Sequence, residues 1–349
     1  WDLAAWAVQA LGTLLQYLAG WSWSAVYRPI TPWPMAVLAM VGGIVTVLRL
    51  PPVLRVAGLL LVWPVLLWSP DRPPTGQFEL VAIDVGQGSA VLVRTARHSL
   101  LYDTGPRYSA DSDAGDRVVV PLLHALGVRL DKVVVSHSDS DHSGGMEAVR
   151  RAQPQAQWLS SFDEAPEQRC LAGQQWTWDG VHFEVLHPQP QHYGPDGKGL
   201  LSSNAMSCVL HVVAGEHSAW LGGDIDAAQE VRLALERPQM RTTVLVAPHH
   251  GSLTSSSPVL LNTLQPAWVV VQAGHLNRFN HPSPRVLARY RQRSIPWVAS
   301  PACGAATWRS DAPGHIQCHR HARRRYWHHH GVTDSQAPPD GTSLADLSH

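Results

Sequence analysis

The sequence predicts an α/β domain preceded by a hydrophobic helical segment that crosses a membrane. Three observations carry this. From residue 77 onward, short apolar runs ending in Gly, Asp or His alternate with helix-like stretches. Residues 29–48 and 56–70 carry no charge. Charged residues make up only 15% of the 349, against roughly 25% in ordinary soluble proteins, and there are 15 tryptophans. Lys+Arg and Asp+Glu are both 27, which argues against a basic protein that coats nucleic acid. The apolar patterning excludes a wholly disordered chain.

Taken in order, residues 3–27 come first. Leu3, Trp6, Ala10, Leu14, Tyr17, Leu18 and Trp21 recur at helical spacing, with Gln9 and Gln16 off that stripe. This fits an interfacial amphipathic helix, a third span or a packed bundle helix. Residues 29–48 are twenty in number, enough to span about 30 Å as a helix. Arg49 and Arg55 bracket a turn at Pro51 and Pro52. Residues 56–70 are uncharged but short and interrupted by Pro64, so a buried core helix is the plainer alternative to a span. With Trp63 and Trp68 near one end, the two runs read as a transmembrane hairpin. The positive-inside rule puts the arginine turn in the cytoplasm and delivers the rest to the opposite side. The chain begins at Trp1 rather than Met. A fragment carrying the end of a longer membrane domain (residues 1–71) is therefore expected.

Residues 71–76 (DRPPTG) read as a linker to a second domain, 72–330. Strands are expected at 78–84, 90–94, 100–103, 132–136, 183–186, 208–213, 219–223, 243–247 and 268–272. Helices are expected at 117–126, 144–151, 226–236, 257–264 and 284–293. Residues 331–349, rich in Ser, Pro and Asp without aromatics, read as a disordered tail.

Residues 136–145, SHSDSDHSGG, carry the chemistry. They follow an apolar strand and place His137, Asp139, Asp141 and His142 within six residues on a strand-to-helix turn. Alternate residues of an extended segment point the same way, so these imidazoles and carboxylates can converge on a divalent ion. The plainer reading is a polar loop that caps a helix.

This segment resembles the HxHxDH motif of the metallo-β-lactamase superfamily, with Asp139 in place of the second His. Other motifs follow in order: Asp84 in DVGQG, Asp103 in YDTG, Asn204 and Ser207 in NAMS, Asp224 in GGD, His249 to Ser252 as HHGS, and His281 in HPSP. Together they resemble the C-terminal domain of the ComEC family of DNA internalization competence proteins, over residues 77–327. The resemblance implies a four-layer αββα sandwich on a multi-pass inner membrane protein, with this domain on the periplasmic or extracellular side. It implies a metal-dependent nuclease that acts on the non-imported strand during DNA uptake. DNA, as a single strand or incoming duplex, the inner membrane and other competence proteins are the implied partners.

Residue by residue, the resemblance implies one ion on His137, Asp139 and Asp224. A second would sit on Asp141, His142, Asp224 and one of His249 and His250. Asp141 would also orient the attacking hydroxide. The spare His would contact phosphate or protonate the leaving oxygen. Asp139 and Asn204 stand where many members have His, so the first site is oxygen-rich and Mn²⁺ is expected over Zn²⁺. Asp84 and Asp103 read as groups that orient ligands or brace loops. Ser252 either donates to phosphate or caps the next segment, and His281 is either at the site edge or structural.

Of the four cysteines, Cys303 and Cys318 end short extended runs 15 residues apart. They read as a disulfide in an oxidising compartment or as two buried thiols. Cys208 reads as a core residue and Cys170 as an exposed loop thiol. The late cations Arg285, Arg289, Arg291, Arg293, Arg320 and Arg323–Arg325, interleaved with Tyr290, Tyr326 and Trp327, fit a DNA-binding patch or a solvated, membrane-proximal face. Two further functions stay open: a non-catalytic domain that guides or gates DNA, and another cell-surface phosphodiesterase.

Overall fold

The computed structural model describes residues 1–21, 27–162, 168–326 and 328. Two compact units divide the chain: Trp1–Pro70 with Leu122–Val128, and Asp71–Pro121 with Arg129–His349.

In the first unit, α1 (Asp2–Ala19), α2 (Trp33–Val47) and α3 (Pro52–Leu67) are helical. Pro32 and Pro34 mark the start of α2, and Pro51 and Pro52 the start of α3, where a proline ring is best tolerated. The helices are 15 and 16 residues long, about 22–24 Å at ~1.5 Å per residue; α2 starts four residues into its uncharged run, whereas α3 starts before its run, takes in Arg55 and continues through Pro64. The 18-residue α1 carries Asp2, Gln9 and Gln16. Among the described residues no helix is long and apolar enough to cross a membrane. The helices α2 and α3 meet at glycine: a Cβ on Gly42 would strike the Gly58 carbonyl, and one on Gly58 the Gly42 carbonyl. Thr46 Oγ1 donates to the Gly42 carbonyl (2.8 Å) and Arg55 Nε to the Thr46 carbonyl (3.0 Å).

In the second unit the strands are β1 (Glu79–Ala82), β2 (Val91–Arg94), β3 (Ser99–Tyr102), β4 (Arg107–Ser109), β5 (Ser112–Asp113), β6 (Lys132–Val135), β7 (Gln157–Ser160), β8 (Gln175–Trp178), β9 (Val181–His187), β10 (Val209–Ala214), β11 (His217–Leu221), β12 (Val244–Val246), β13 (Trp268–Val271), β14 (Trp297–Ala299), β15 (Ala306–Arg309) and β16 (Ile316–Cys318). The helices beyond α3 are α4 (Val120–Ala125), α5 (Ser140–Ser143), α6 (Met146–Ala152), α7 (Ala227–Glu236), α8 (Pro258–Leu264), α9 (Pro284–Gln292), α10 (Ser300–Cys303) and α11 (His319–Ala322). Two seven-stranded sheets form, in the orders β16-β15-β1-β2-β3-β6-β7 and β14-β13-β12-β11-β10-β9-β8.

Alternation along the strands builds the layers. Leu80, Ala82, Val91, Val93, Leu100 and Val134 of the first sheet share one core with Phe183, Val185, Leu210, Val212, Leu221 and Val270 of the second. Their neighbours Val209, Trp220, Leu245, Val269 and Val271 face the other way. There they pack on Leu233 of α7, Leu260, Leu261 and Leu264 of α8, and Val286 and Tyr290 of α9. Period-two burial on both faces of a strand requires a helix layer outside the sheet.

One cysteine pair departs from the sequence reading, and the other follows the disulfide alternative. Cys170 is fully buried and joined to Cys208 rather than being an exposed thiol. Cys303 at the end of α10 is joined to Cys318 at the end of β16. The strands β4, β5, β7, β8 and β14–β16 were not expected; each is short, and several carry polar or bulky residues without clean alternation. The proposed tail, Trp327 and His329–His330 lie outside the described residues.

Candidate metal centre

The candidate residues follow the carboxyl ends of strands from both sheets. Asp103 follows β3, residues 136–142 follow β6, Asp224 follows β11, His249 and His250 follow β12, and Gln272 follows β13. β3 and β6 run parallel, as do β11, β12 and β13, so each set of loops emerges at one edge.

Asp103 sits at φ 61° and is fully buried. Its Oδ1 accepts from the Ser136 N–H (2.7 Å), and its Oδ2 from Ser136 Oγ (3.0 Å) and His142 Nδ1 (2.7 Å). The His142 carbonyl accepts from both the N–H and Oγ1 of Thr104, at 2.8 and 2.9 Å. Gly88 (φ 147°) lets the chain pass the Asp141 carbonyl, which a Cβ there would strike. After Pro248, His249, His250 and Gly251 take three consecutive left-handed conformations (φ 51°, 55° and 76°). Such backbone is costly for residues with a Cβ, and it swings both imidazoles toward the site. His250 Nδ1 then donates to the Gln272 carbonyl (2.9 Å).

Asp141, His142, Asp224 and His250 bring their ligand atoms within 4.8 Å of one another. His142 Nε2 lies 3.0 Å from Asp224 Oδ1. His250 Nε2 lies 3.3 Å from Asp141 Oδ2 and 3.6 Å from Asp224 Oδ2. His249 Nε2 is also 3.6 Å from Asp224 Oδ2 but is more exposed and outside the tight four. Of the two histidines in HHGS, the buried His250 is therefore the better-placed ligand.

The hydrogen bonds decide what this cluster holds. His142 Nδ1 faces a carboxylate and His250 Nδ1 a carbonyl, so both carry their proton on Nδ1. Each neutral ring then presents a bare lone pair at Nε2, and the two Nε2 atoms are 3.2 Å apart. Two lone pairs at that distance repel, so a cation belongs there, either a proton or a metal ion. Burial opposes a proton on His142, but Asp224 and Asp103 outweigh it and hold its pKa well above the usual value. Burial alone would raise Asp224, yet His142 and His250 hold it well below the carboxylate range. Asp141 is likewise penalised by burial but held down to about 2 by His250 and His142. The buried His137 Nε2 has no hydrogen-bond partner among the described residues, and Asp224 Oδ1 faces His142 Nε2. Inward-facing ligand atoms of this chemistry fit a divalent ion.

The remaining candidates separate. His137 is buried beside His142, ring centroids 4.2 Å apart, and Asp139 Oδ2 lies 3.6 Å from its Nε2, with the Asp139 side chain half exposed. Ser207 Oγ accepts from the Asp224 N–H (3.0 Å) and sits 3.3 Å from His137 Nδ1. Asn204 is half-buried in a short 3₁₀ turn, its carbonyl accepting from the Ser207 N–H. Ser252 turns the chain toward Thr254 (Oγ to Oγ1 3.1 Å), while Ser257 caps α8. His281 stacks near His250, ring centroids 6.5 Å apart at 24°, and its pKa falls to about 4 through burial and the neighbouring histidines. Asp84 is engaged elsewhere, by Arg320 (2.7 Å). Several late arginines are also spent internally. Arg289 donates to the Ser255 and Ser256 carbonyls, Arg293 to Asn262, and Arg291 lies over Trp297.

Sequence reading missed Gln272. Its carbonyl fixes the His250 ring, its Nε2 donates to the Ile83 and Ala90 carbonyls (both 2.9 Å), and its Oε1 accepts from Ser89 Oγ (3.2 Å). The signal was a lone buried amide closing the apolar run WVVVQ.

A two-sheet sandwich with imidazoles and carboxylates converging at its strand ends defines a class of metal-site proteins. The metallo-beta-lactamase superfamily model matches residues 83–275, and the chain belongs to that superfamily. The chain is 37% identical over 276 residues to competence protein ComA of Neisseria gonorrhoeae, covering 78% of this chain and 38% of that one. It is 32% identical over 295 residues to uncharacterized protein YcaI of Escherichia coli K12, covering 84% and 37%. It is 33% identical over 235 residues to recombination protein 2 of Haemophilus influenzae, covering 66% and 28%. The chain thus spans between 28% and 38% of the length of these relatives.

Proposed function

We propose that this chain is a metal-dependent phosphodiesterase acting on DNA, within a membrane-associated protein of DNA uptake. One observation carries the reading. The Nε2 atoms of His142 and His250 face each other across 3.2 Å with both Nδ1 atoms committed and two buried carboxylates alongside. The likeness to competence and recombination proteins supports DNA as the substrate. The exposed apolar side chains of α1–α3 support membrane association, and two disulfides support placing the second unit in an oxidising compartment.

Asp141, His142, Asp224 and His250 would hold one ion, and His137, Asp139 and Asp224 a second. Divalent ions there supply Lewis acidity toward a phosphodiester and make bound water more acidic. Asp224 is central to both sets, and its ionised carboxylate neutralises the excess positive charge. Asp141, ionised above pH of about 2, accepts a hydrogen bond from the attacking water and aligns it. His249, at the open edge, offers an N–H to a phosphate oxygen. The first set, with two carboxylates to one imidazole on His137, Asp139 and Asp224, is oxygen-rich, which favours Mn²⁺ over Zn²⁺ there.

The test is end-labelled single-stranded DNA incubated with the metal-stripped chain and added Mn²⁺, Mg²⁺ or Zn²⁺, beside Asp141→Ala. Cleavage should be strongest with Mn²⁺ and fall at least ~100-fold in the variant. A folded, metal-loaded chain that cuts nothing would overturn the reading.

A further inference from the structure

The loop between β13 and α9 borders the ligand cluster without contributing a ligand to the tight four. It has no regular structure, yet it is firmly braced. Asn277 Oδ1 accepts from the N–H groups of Phe279 (3.2 Å) and His281 (3.0 Å). Asn277 Nδ2 donates to the carbonyls of Gly274 (2.9 Å) and His281 (2.6 Å). The Gly274 N–H donates to Gln87 Oε1 (3.0 Å), tying the loop to the turn after β1. The Ser283 N–H donates to the Gly251 carbonyl (2.9 Å), tying it to the histidine turn.

This rigid segment holds an apolar ring in solvent. Phe279 is 49% exposed. Its ring lies 5.8 Å from that of His281 at an interplanar angle of 18°. His281 in turn lies 6.5 Å from His250 at 24°. The three near-parallel rings lead from the cluster outward to solvent. The exposed Arg278 guanidinium rests 4.8 Å from the Phe279 centroid, a weak contact at an exposed site that gives way readily to a better stacking partner. Beside the rings opens a cleft of about 630 Å³, lined by Leu276, Asn280, His281, Leu287 and Trp297.

We infer that Phe279, with Arg278 beside it and His281 beneath it, is a stacking platform for an unpaired base of the strand whose phosphate lies at the cluster. An aliphatic partner would not call for a ring paired with a guanidinium next to a phosphodiester site. A nucleotide does, with a π-face for Phe279 and a phosphate for Arg278. Inside a duplex both faces of each base are already covered by neighbours, so the platform selects single-stranded over blunt double-stranded DNA. The inference rests on the phosphodiesterase reading for the identity of the polymer.

The test is fluorescence anisotropy with a dye-labelled oligothymidylate and a blunt duplex, in Mn²⁺. The full chain carries Asp141→Asn so that no strand is cut. Phe279→Ala should weaken single-strand binding about tenfold, with Phe279→Trp restoring it and duplex binding weaker and unmoved. Unchanged single-strand affinity in Phe279→Ala, or an equal loss for duplex, overturns the platform; an unaltered melting temperature shows that the variant is folded. Parallel cleavage by the unmodified chain separates the two ideas. Phe279-dependent binding without any cleavage supports the platform and defeats the phosphodiesterase reading. Cleavage with no Phe279 dependence of binding defeats only the platform.

Discussion

Asp103 shows how much one side chain can decide. Its two oxygens fix the Ser136 backbone, the Ser136 hydroxyl and the His142 ring, so it sets which nitrogen of His142 is free to ligate. It touches His142, a proposed ligand, and partners of metal ligands typically alter metal affinity 10–100-fold. Asp103→Asn should therefore weaken Mn²⁺ binding by roughly 10–100-fold with the fold retained. Calorimetric titration with Mn²⁺ checks this, and unchanged affinity would sink it. From sequence, Asp84 and Asp103 looked alike because both end a strand. Burial separates them: Asp103 is sealed against His142, whereas Asp84 is half-buried and neutralised by Arg320.

Among elements, the α2–α3 pair depends on the absence of two side chains. Gly42 and Gly58 bring the backbones together, and a Cβ at either meets a carbonyl of the other helix. A side chain there forces the helices apart, at about 1–3 kcal/mol for overpacking. At the neighbouring Gly43 a Cβ would meet nothing within 4 Å, and alanine should gain up to about 1 kcal/mol from helix propensity. Limited proteolysis of the turn at residues 48–52 should speed up in Gly58→Leu and Gly42→Ala but not in Gly43→Ala. Equal rates in all three would show that the pair does not rely on this contact. The same uncharged runs suggested spans because hydropathy counts residues; the observed helices of 15 and 16 residues have bounds that differ from those of the runs.

At the scale of the whole molecule, the second sheet of the second unit joins strands consecutive in sequence, whereas the first is completed by distant sequence. β1 pairs with β15, more than 220 residues away, and β15 carries β16, which Cys318 fastens to Cys303. A cross-link closing 15 residues restrains the unfolded chain by about 3 kcal/mol in the chain-entropy account. The double variant Cys303→Ser/Cys318→Ser should thus lower the unfolding temperature by roughly 5–10 °C. Differential scanning calorimetry reads this directly. A shift no larger than a degree or two would mean that the edge hairpin is held by its hydrogen bonds and by Trp308 packing alone.

The sequence by itself determined the local order. Short apolar runs placed nine strands near their observed positions, because a strand covered on both faces needs apolar residues along most of its length. The motif at residues 136–145 was legible because its donors are close in the chain. Tertiary structure decided everything that depends on separated residues meeting. It put His250 rather than His249 into the tight four, through three left-handed residues that bend the chain. It paired Cys170 with Cys208 across 38 residues. It made Gln272 the brace of a loop 189 residues earlier. Residue type and spacing fix which way a side chain points from its own strand. Which partner it finds there is set by the stacking of two sheets, whose contacts leave no periodic trace in the chain.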